Sequence, residues 1–404
     1  MKPLRGERVQ IDREEWSVLS RLLDEALDVP IGRLEQWLST LPPREAVYRR
    51  RLRGLLKQRA KIETGDFLLT LPKITPLPGG SGGAGLAPGT VIGPYVVEEE
   101  IGRGGMGAVW RARRSDGVIK RPVALKLPHT GLHSQELIER FTRERDILGE
   151  LSHPNIARLD DAGVTDFGQP FLALEYVPGI PLTDYCDQRA LDIRARLRLY
   201  LQVLRAVQYA HGHLVIHRDL KPSNILVTPL GQVMLVDFGI AKLIPDDGHD
   251  NTARLRGHAL TPEYASPEQI AGLPVSTASD IYSLGVLLFE LLTGERPYQL
   301  ERATRASLEE AIVHLEPLRP SGVVCSSTAA AARGSTARKL QRLLRGDLDT
   351  IVLKTLEKSP GDRYPTADAL FRDIEHYLRS EPISTRAGDT WYKLYKFVGR
   401  HTYW

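Results

Sequence analysis

The chain has 404 residues, 26% of them charged and 42% hydrophobic, with 54 Lys+Arg against 50 Asp+Glu. That length supports two or three domains with a sizeable core, and a net charge of +4 is too thin for a dedicated polyanion binder, so no nucleic-acid partner is expected. Two cysteines, Cys186 and Cys325, stand far apart and outside any metal-ligand spacing; neither a disulfide framework nor a zinc site is indicated, and a reducing cytosol fits.

The N-terminus carries basic residues but no apolar stretch after them, and Asp12, Glu14 and Glu15 follow at once, which excludes a secretory signal. Helical spacing recurs in Trp16, Leu19, Leu22, Leu23 and Ala26, again in Leu34, Trp37, Leu38 and Leu41, and again in Tyr48, Leu52, Leu55 and Leu56. Pro30 and Pro42-Pro43 punctuate these runs, so residues 1–71 read as a small helical unit, a candidate docking module for a regulator. Arg49-Arg50-Arg51 is the solvated face of one of these helices. Residues 72–94 turn abruptly to Pro and Gly and read as a flexible linker.

Strand-like segments follow: Tyr95-Val96-Val97, Val109-Trp110, the run Val123 to Leu127, and the run Pro170 to Tyr176. One helical stretch, Ser134 to Leu151, interrupts them. From about Asp184 the pattern is mostly helical. The fold class expected is α+β: a small β-rich lobe (95–175) joined to a larger helical lobe (178–380).

Ile101-Gly102-Arg103-Gly104-Gly105-Met106-Gly107 sets G-x-G-x-x-G between two strands. A dinucleotide fold would pass from strand to helix here, whereas Val109-Trp110-Arg111-Ala112 continues as a strand. The glycines therefore suit a hairpin lid whose backbone N–H groups approach phosphates. Lys126 ends a short apolar strand. In the helix after it Leu137, Phe141, Glu144, Leu148 and Leu151 follow 4-3-4-3 spacing, so Glu144 falls inside an apolar stripe and needs a cation; pairing with Lys126 is expected. Downstream come His217-Arg218-Asp219-Leu220-Lys221-Pro222-Ser223-Asn224 and then Val236-Asp237-Phe238-Gly239, each beside a strand-like segment. A glycine hairpin, a strand lysine, two acids and an Asn in this order are what metal-assisted phosphoryl transfer requires.

On these motifs, residues 95–380 resemble a eukaryotic-type serine/threonine protein kinase of the bacterial subgroup, with a bilobal protein-kinase-like fold. The resemblance implies that ATP and Mg²⁺ are the cofactors and that protein Ser/Thr hydroxyls are the substrates. Carried over by residue, Gly102, Gly104 and Gly107 cover the phosphates, and Ile101, Val109, Ala124 and Leu226 enclose adenine beside the backbone of Glu175 to Val177. Lys126, held by Glu144, contacts the α- and β-phosphates; Asn224 and Asp237 hold the metal; Asp219 is the base; Lys221 steadies the γ-phosphate. Leu174 matches the position behind adenine, and Leu148, Leu159, His217 and Phe238 an apolar stack anchored by Asp280. Intact Lys126, Glu144, Asp219, Asn224 and Asp237 weigh against the rival reading, a scaffold that binds nucleotide without transfer.

Thr261 to Glu268 resembles the segment that docks the acceptor residue, with Glu268 expected to pair with Arg363. Between Gly239 and Thr261 the one hydroxyl residue is Thr252. It is the expected autophosphorylation switch, its phosphate contacting Arg218 and Lys242. Thr261 is expected to bond Asp219 or Lys221. Leu284 to Leu292 is broken by Glu290 and too short for a span, so it reads as a buried helix with Asp280 at its start as an acceptor that holds the loop of Asp219. Ser326 to Gly334, small and Ala-rich, reads as a mobile insertion. The tail (381–404), with Trp391, Tyr392, Lys393, Tyr395, Lys396, Phe397, Arg400 and Trp404, mixes aromatic and basic residues. It suits a membrane interface or docking on the lobe, which puts the chain in the cytoplasm or at the inner membrane face.

Overall fold

The computed structural model describes residues 86–386 apart from 105–106, 118–120, 129–144, 146–147, 166–167, 238–260, 300–303 and 324–325; before residue 86 it describes only Pro42 and Arg49. The chain divides into two units, Met1–Gly85 and Leu86–Trp404. The helical unit 1–71, Glu144, Lys242, Thr252, Phe238 and the tail beyond Arg386 lie outside the described residues, Pro42 and Arg49 excepted.

The second unit opens with an antiparallel sheet of β1 (Val91–Ile92), β2 (Tyr95–Gly104), β3 (Gly107–Arg114), β4 (Val123–Pro128), β5 (Leu159–Val164) and β6 (Pro170–Glu175), ordered β1-β2-β3-β4-β6-β5. Strand periodicity decides which residues reach the site. Ala108, Trp110 and Ala112 of β3 and Val123, Leu125 and Leu127 of β4 bury one face against Tyr95, Val97 and Phe171. The intervening residues Val109, Ala124 and Lys126 face the other way, with Val109 paired opposite Lys126. The sheet begins earlier than the composition implied: β1 pairs with β2 inside the stretch read as linker, because Leu86 and Ile92 find apolar partners in the sheet core.

The second lobe contains β7 (Ile180–Pro181), β8 (Ile225–Val227) and β9 (Val233–Leu235) as a small sheet, and the helices α1 (Leu182–Gln188), α2 (Ile193–Gly212), α3 (Pro267–Ile270), α4 (Thr277–Thr293), α5 (Arg305–His314), α6 (Ser327–Ala331), α7 (Ala337–Leu344), α8 (Asp347–Thr355) and α9 (Ala367–Leu378). Leu197, Tyr200, Val203, Leu204 and Val207 of α2 pack into one core with Ile281, Leu284, Leu288 and Leu291 of α4. As expected, α4 is buried on nearly every side. Gly285 lets α8 approach it: a Cβ there would lie 2.1 Å from Thr355 Oγ1.

Asp280 holds the loop before Asp219 as expected, though it is not the cap of its helix, and the expected mobile insertion is overturned. The cap of α4 is Ser276, whose hydroxyl accepts from Ala278 N, with Ser279 Oγ accepting from Ser276 N. That leaves Asp280, one turn in, free to serve the neighbouring loop. The stretch Ser326 to Gly334 is docked rather than mobile. Ala330 is fully buried, and Arg333 donates from Nε to Leu292 O (2.9 Å) and from Nη2 to Glu290 O (2.8 Å) at the C-terminal end of α4. Orphan carbonyls at a helix end attract such a donor, and small Ala side chains let it come close.

Candidate active site

The two lobes enclose a cleft of about 650 Å³. Ile101, Gly102, Gly107, Val109, Ala124 and Lys126 line it from the first lobe, and Asp219, Lys221, Asn224, Leu226 and Asp237 from the second. Glu175, at the end of β6, and Val177, on the segment after it that joins the lobes, also line it, as does Leu174. Tyr176, within the expected stretch Glu175 to Val177, is part of this lining, and so are Gly179 and Pro181, which nothing in their sequence context marked.

The lid is the β2–β3 hairpin, in which Gly104 pairs with Gly107. Gly107 has φ of +143°, and a Cβ on it would stand 2.1 Å from Leu127 O, so only glycine fits. Irregular pairing between Glu100 and Gly102 re-aims this end of β2.

The Lys126 side chain is almost wholly buried and its ammonium pairs with Asp237 Oδ1. The pairing expected from the sequence was with Glu144, which lies outside the described residues. A buried cation needs an anion close by, and Asp237 supplies it from a left-handed backbone conformation, φ of +60°. That conformation is uncommon for a non-glycine residue and concentrates where a side chain must be aimed.

Asp219 follows α2 on a loop that is held from three sides. Asp280 Oδ2 accepts the backbone N–H of His217 (2.8 Å) and Oδ1 that of Arg218 (2.9 Å), while His211 Nε2 meets Oδ2 at 2.8 Å. Burial works against the charge of Asp280, but the bonds from His211 and His217 outweigh it and hold the carboxyl below its ordinary range. Arg218 sits at φ of +67°, and its carbonyl accepts from Gln269 Nε2 at 3.0 Å. His217 is buried, its Nε2 3.2 Å from Val236 O and its Nδ1 accepting from Asp219 N at 3.3 Å. Burial pulls its pKa down, so the ring is the neutral acceptor that this geometry asks for.

Around the Asp219 carboxylate, Lys221 Nζ lies 2.8 Å from Oδ2 and donates to Thr261 Oγ1 at 2.9 Å. Asn224 Nδ2 donates to Asp219 O (2.8 Å) and Oδ2 (3.1 Å), which commits the amide nitrogen and leaves Oδ1 as the acceptor. Asn224 Oδ1 and the Asp237 carboxylate are hard oxygen donors in one cleft, a donor set that suits Mg²⁺. Beyond Thr261, Glu268 takes a bidentate bond from Arg363 (2.7 and 2.8 Å) and one from Ser279 Oγ (2.6 Å). Burial raises the Glu268 pKa, and these bonds overcome it to leave a net lowering. Gln269 and His211, which secure the loop, were missed in the sequence; His211 closes the last turn of α2 at helical spacing from Val207, and that position was its one signal.

A nucleotide-sized cleft with this lid, ammonium and acid set is accompanied by a direct family match: residues 95–372 fit the protein kinase domain. The chain belongs to the protein kinase family. The kinase is 36% identical over 296 residues to "Serine/threonine-protein kinase pkn3" of Myxococcus xanthus, covering 71% of this chain and 50% of that one. It is 33% identical over 295 residues to "Serine/threonine-protein kinase PknB" of Mycobacterium tuberculosis, covering 71% and 43%. The chain thus spans about half the length, or less, of the curated relatives it matches. Among solved structures, the kinase domain of PknI from Mycobacterium tuberculosis matches with a TM-score of 0.53 and 26% identity, over 73% of this chain and 99% of that one. The bilobal fold expected from the motifs is therefore the fold found.

Proposed function

We propose that this kinase transfers the γ-phosphate of Mg-ATP to serine and threonine hydroxyls of proteins and acts in signalling. The observation that carries the reading is the convergence of Lys126, Asp219, Asn224 and Asp237 on one cleft beneath a glycine hairpin. Asn224 and Asp237 would hold a magnesium ion, which would supply compensation for phosphate charge. Lys126 compensates the non-transferred phosphates and Lys221 the transferred one. Asp219 accepts the acceptor hydroxyl's hydrogen bond and takes its proton. Its loop is rigid before substrate arrives, because Asp280 fixes two of its N–H groups, so little reorganisation is left for the reaction. Ile101, Val109, Ala124 and Leu226 sandwich the base, with backbone from Glu175 to Val177 at its edge. Incubation with γ-labelled ATP and a generic protein acceptor, followed by phosphoamino-acid analysis, tests this. Label on Ser or Thr is expected, and label on Tyr alone contradicts it.

Within the same reading, Thr252 is the autophosphorylation switch, its phosphate meeting Arg218 and Lys242. What supports it is the position of Arg218 next to the base on a loop pinned by Asp280 and Gln269. Mass spectrometry after Mg-ATP incubation is expected to find phosphate on Thr252; phosphate elsewhere and never there overturns it. Residues 1–71 are assigned to docking of a regulator and the basic-aromatic tail to membrane contact, on composition.

A further inference from the structure

Helix α7 (Ala337–Leu344) is folded onto the second lobe by Leu340 and Leu344, which are fully buried. Its outward side carries Arg338, Lys339 and Arg342, followed by Arg345, all exposed and none with an acidic partner among the described residues. Other exposed cations on this lobe are compensated by an acid on the same helix, Arg305 by Glu309, Arg372 by Asp368 and Arg379 by Glu375, or lie apart from one another in the sequence, as Arg189, Arg194, Arg198 and Arg205 do; at α7 four lie within eight residues. The turn Pro320–Gly322 packs beside α7, and Arg319 before it is exposed and likewise has no acidic partner. Leu343 (42% exposed) and Leu318 (38% exposed) stand among these charges. Cations interleaved with exposed leucines are the composition of a surface that meets anionic headgroups, where the charges approach phosphate and the leucines enter the acyl boundary.

A second observation places the tail here. Arg386, the last described residue before it, lies with Nη1 3.4 Å from Asp347 Oδ1, two residues beyond Arg345. The chain therefore leaves the lobe at the C-terminal end of α7, and the next eighteen residues bring Trp391, Lys393, Lys396, Phe397, Arg400 and Trp404.

We infer that the exposed side of α7, with Arg319, is a docking surface for an anionic lipid bilayer. It extends the membrane reading of the tail by giving the folded lobe its own contact, and it is independent of phosphoryl transfer. The test uses the full chain and vesicles of phosphatidylcholine alone or with 30% phosphatidylglycerol, at about 0.1 M salt. Binding to the anionic vesicles is expected, and it is expected to fall at 0.5 M salt as the charges are screened. In the variant with Arg338, Lys339, Arg342 and Arg345 each changed to Gln, partitioning is expected to drop by about 50-fold, below the ceiling of roughly 600-fold that four residues at about five-fold each would set. Kinase activity of that variant in solution is expected to match the parent and shows that it is folded. A second variant, Trp391→Ser with Trp404→Ser, separates the tail's share. Equal binding of the quadruple variant and the parent overturns the inference in favour of the tail alone. Equal binding to neutral vesicles overturns it too, as does binding to a nucleic acid without any to anionic vesicles.

Discussion

Asp280 and Arg218 hold each other in place across the second lobe: the aspartate's Oδ1 accepts the Arg218 backbone N–H at 2.9 Å, and that residue sits at φ of +67°. A left-handed arginine costs about 1–2 kcal/mol unaided. The carboxylate offsets that cost and in doing so fixes the residue next to Asp219. Asp280→Asn keeps one acceptor and replaces the other with a donor facing an N–H. The expected result is a loss of about 3 kcal/mol in stability by urea titration. Transfer is expected to fall at least 10-fold even at temperatures where the variant is fully folded.

His217 gives a pH signature. Its pKa is lowered by burial, so folding favours the neutral ring. The stability this contributes is complete above the unfolded value of about 6.5 and is lost as pH falls through the folded value. Protonation would also turn Nδ1 from an acceptor into a donor facing Asp219 N. Urea midpoints are expected to fall on acidification below about pH 6.5, and the slope is expected to shrink in His217→Phe. A slope unchanged in that variant contradicts the assignment.

The Glu268–Arg363 pair is a structural tie between the acceptor-docking segment and the C-terminal part of the lobe. Breaking it by Arg363→Met leaves a buried carboxylate, at a cost of about 3–5 kcal/mol. Because the Glu268 pKa is held low, its contribution is present above about pH 4.3 and is lost as pH falls through the folded value. The double change Glu268→Gln with Arg363→Met is expected to be less damaging than Arg363→Met alone, and calorimetry of the three variants measures the coupling.

The site was legible, as were three of its supports, Asp280, the Glu268–Arg363 pair and the Thr261–Lys221 bond; the rest were not, for a physical reason. Glycines at G-x-G-x-x-G spacing, Lys126 on the same strand face as Ala124, and Asp219 and Asp237 beside short strands are local patterns, and local patterns can be read from a sequence. The missed supports are bonds over long separations, side chain to backbone for Gln269 on the Arg218 carbonyl and side chain to side chain for His211 on Asp280; Arg333 on the end of α4 is a third such bond, away from the site. Backbone acceptors leave no mark in sequence. Ser326 to Gly334 was misread because small residues serve a close approach as well as a mobile loop. Arg196 could have been found: it falls between Ile193 and Leu197 on the buried stripe of α2, and it is itself wholly buried, paired with Asp187 at 2.7 Å.

Arg333 caps α4 from the stretch read as an insertion, so Arg333→Ala is expected to cost about 1–3 kcal/mol in thermal or urea unfolding by removing the donor to Leu292 O and one of the two donors to Glu290 O, which keeps the Gly294 N–H. Activity of the folded fraction is expected to stay within about twofold of the parent. A neutral effect on stability would show the stretch to be an undocked insertion after all.

The central claim is that this cleft transfers phosphate and does more than bind nucleotide. The most direct test measures ATP affinity and γ-phosphate transfer on the same preparations of the parent, Asp219→Asn and Lys126→Met. The account predicts that Asp219→Asn binds Mg-ATP within a few-fold of the parent while transfer falls by about 10²–10⁴. It predicts that Lys126→Met loses transfer as well. A folded parent that binds ATP and transfers nothing, or an Asp219→Asn variant as active as the parent, would contradict it.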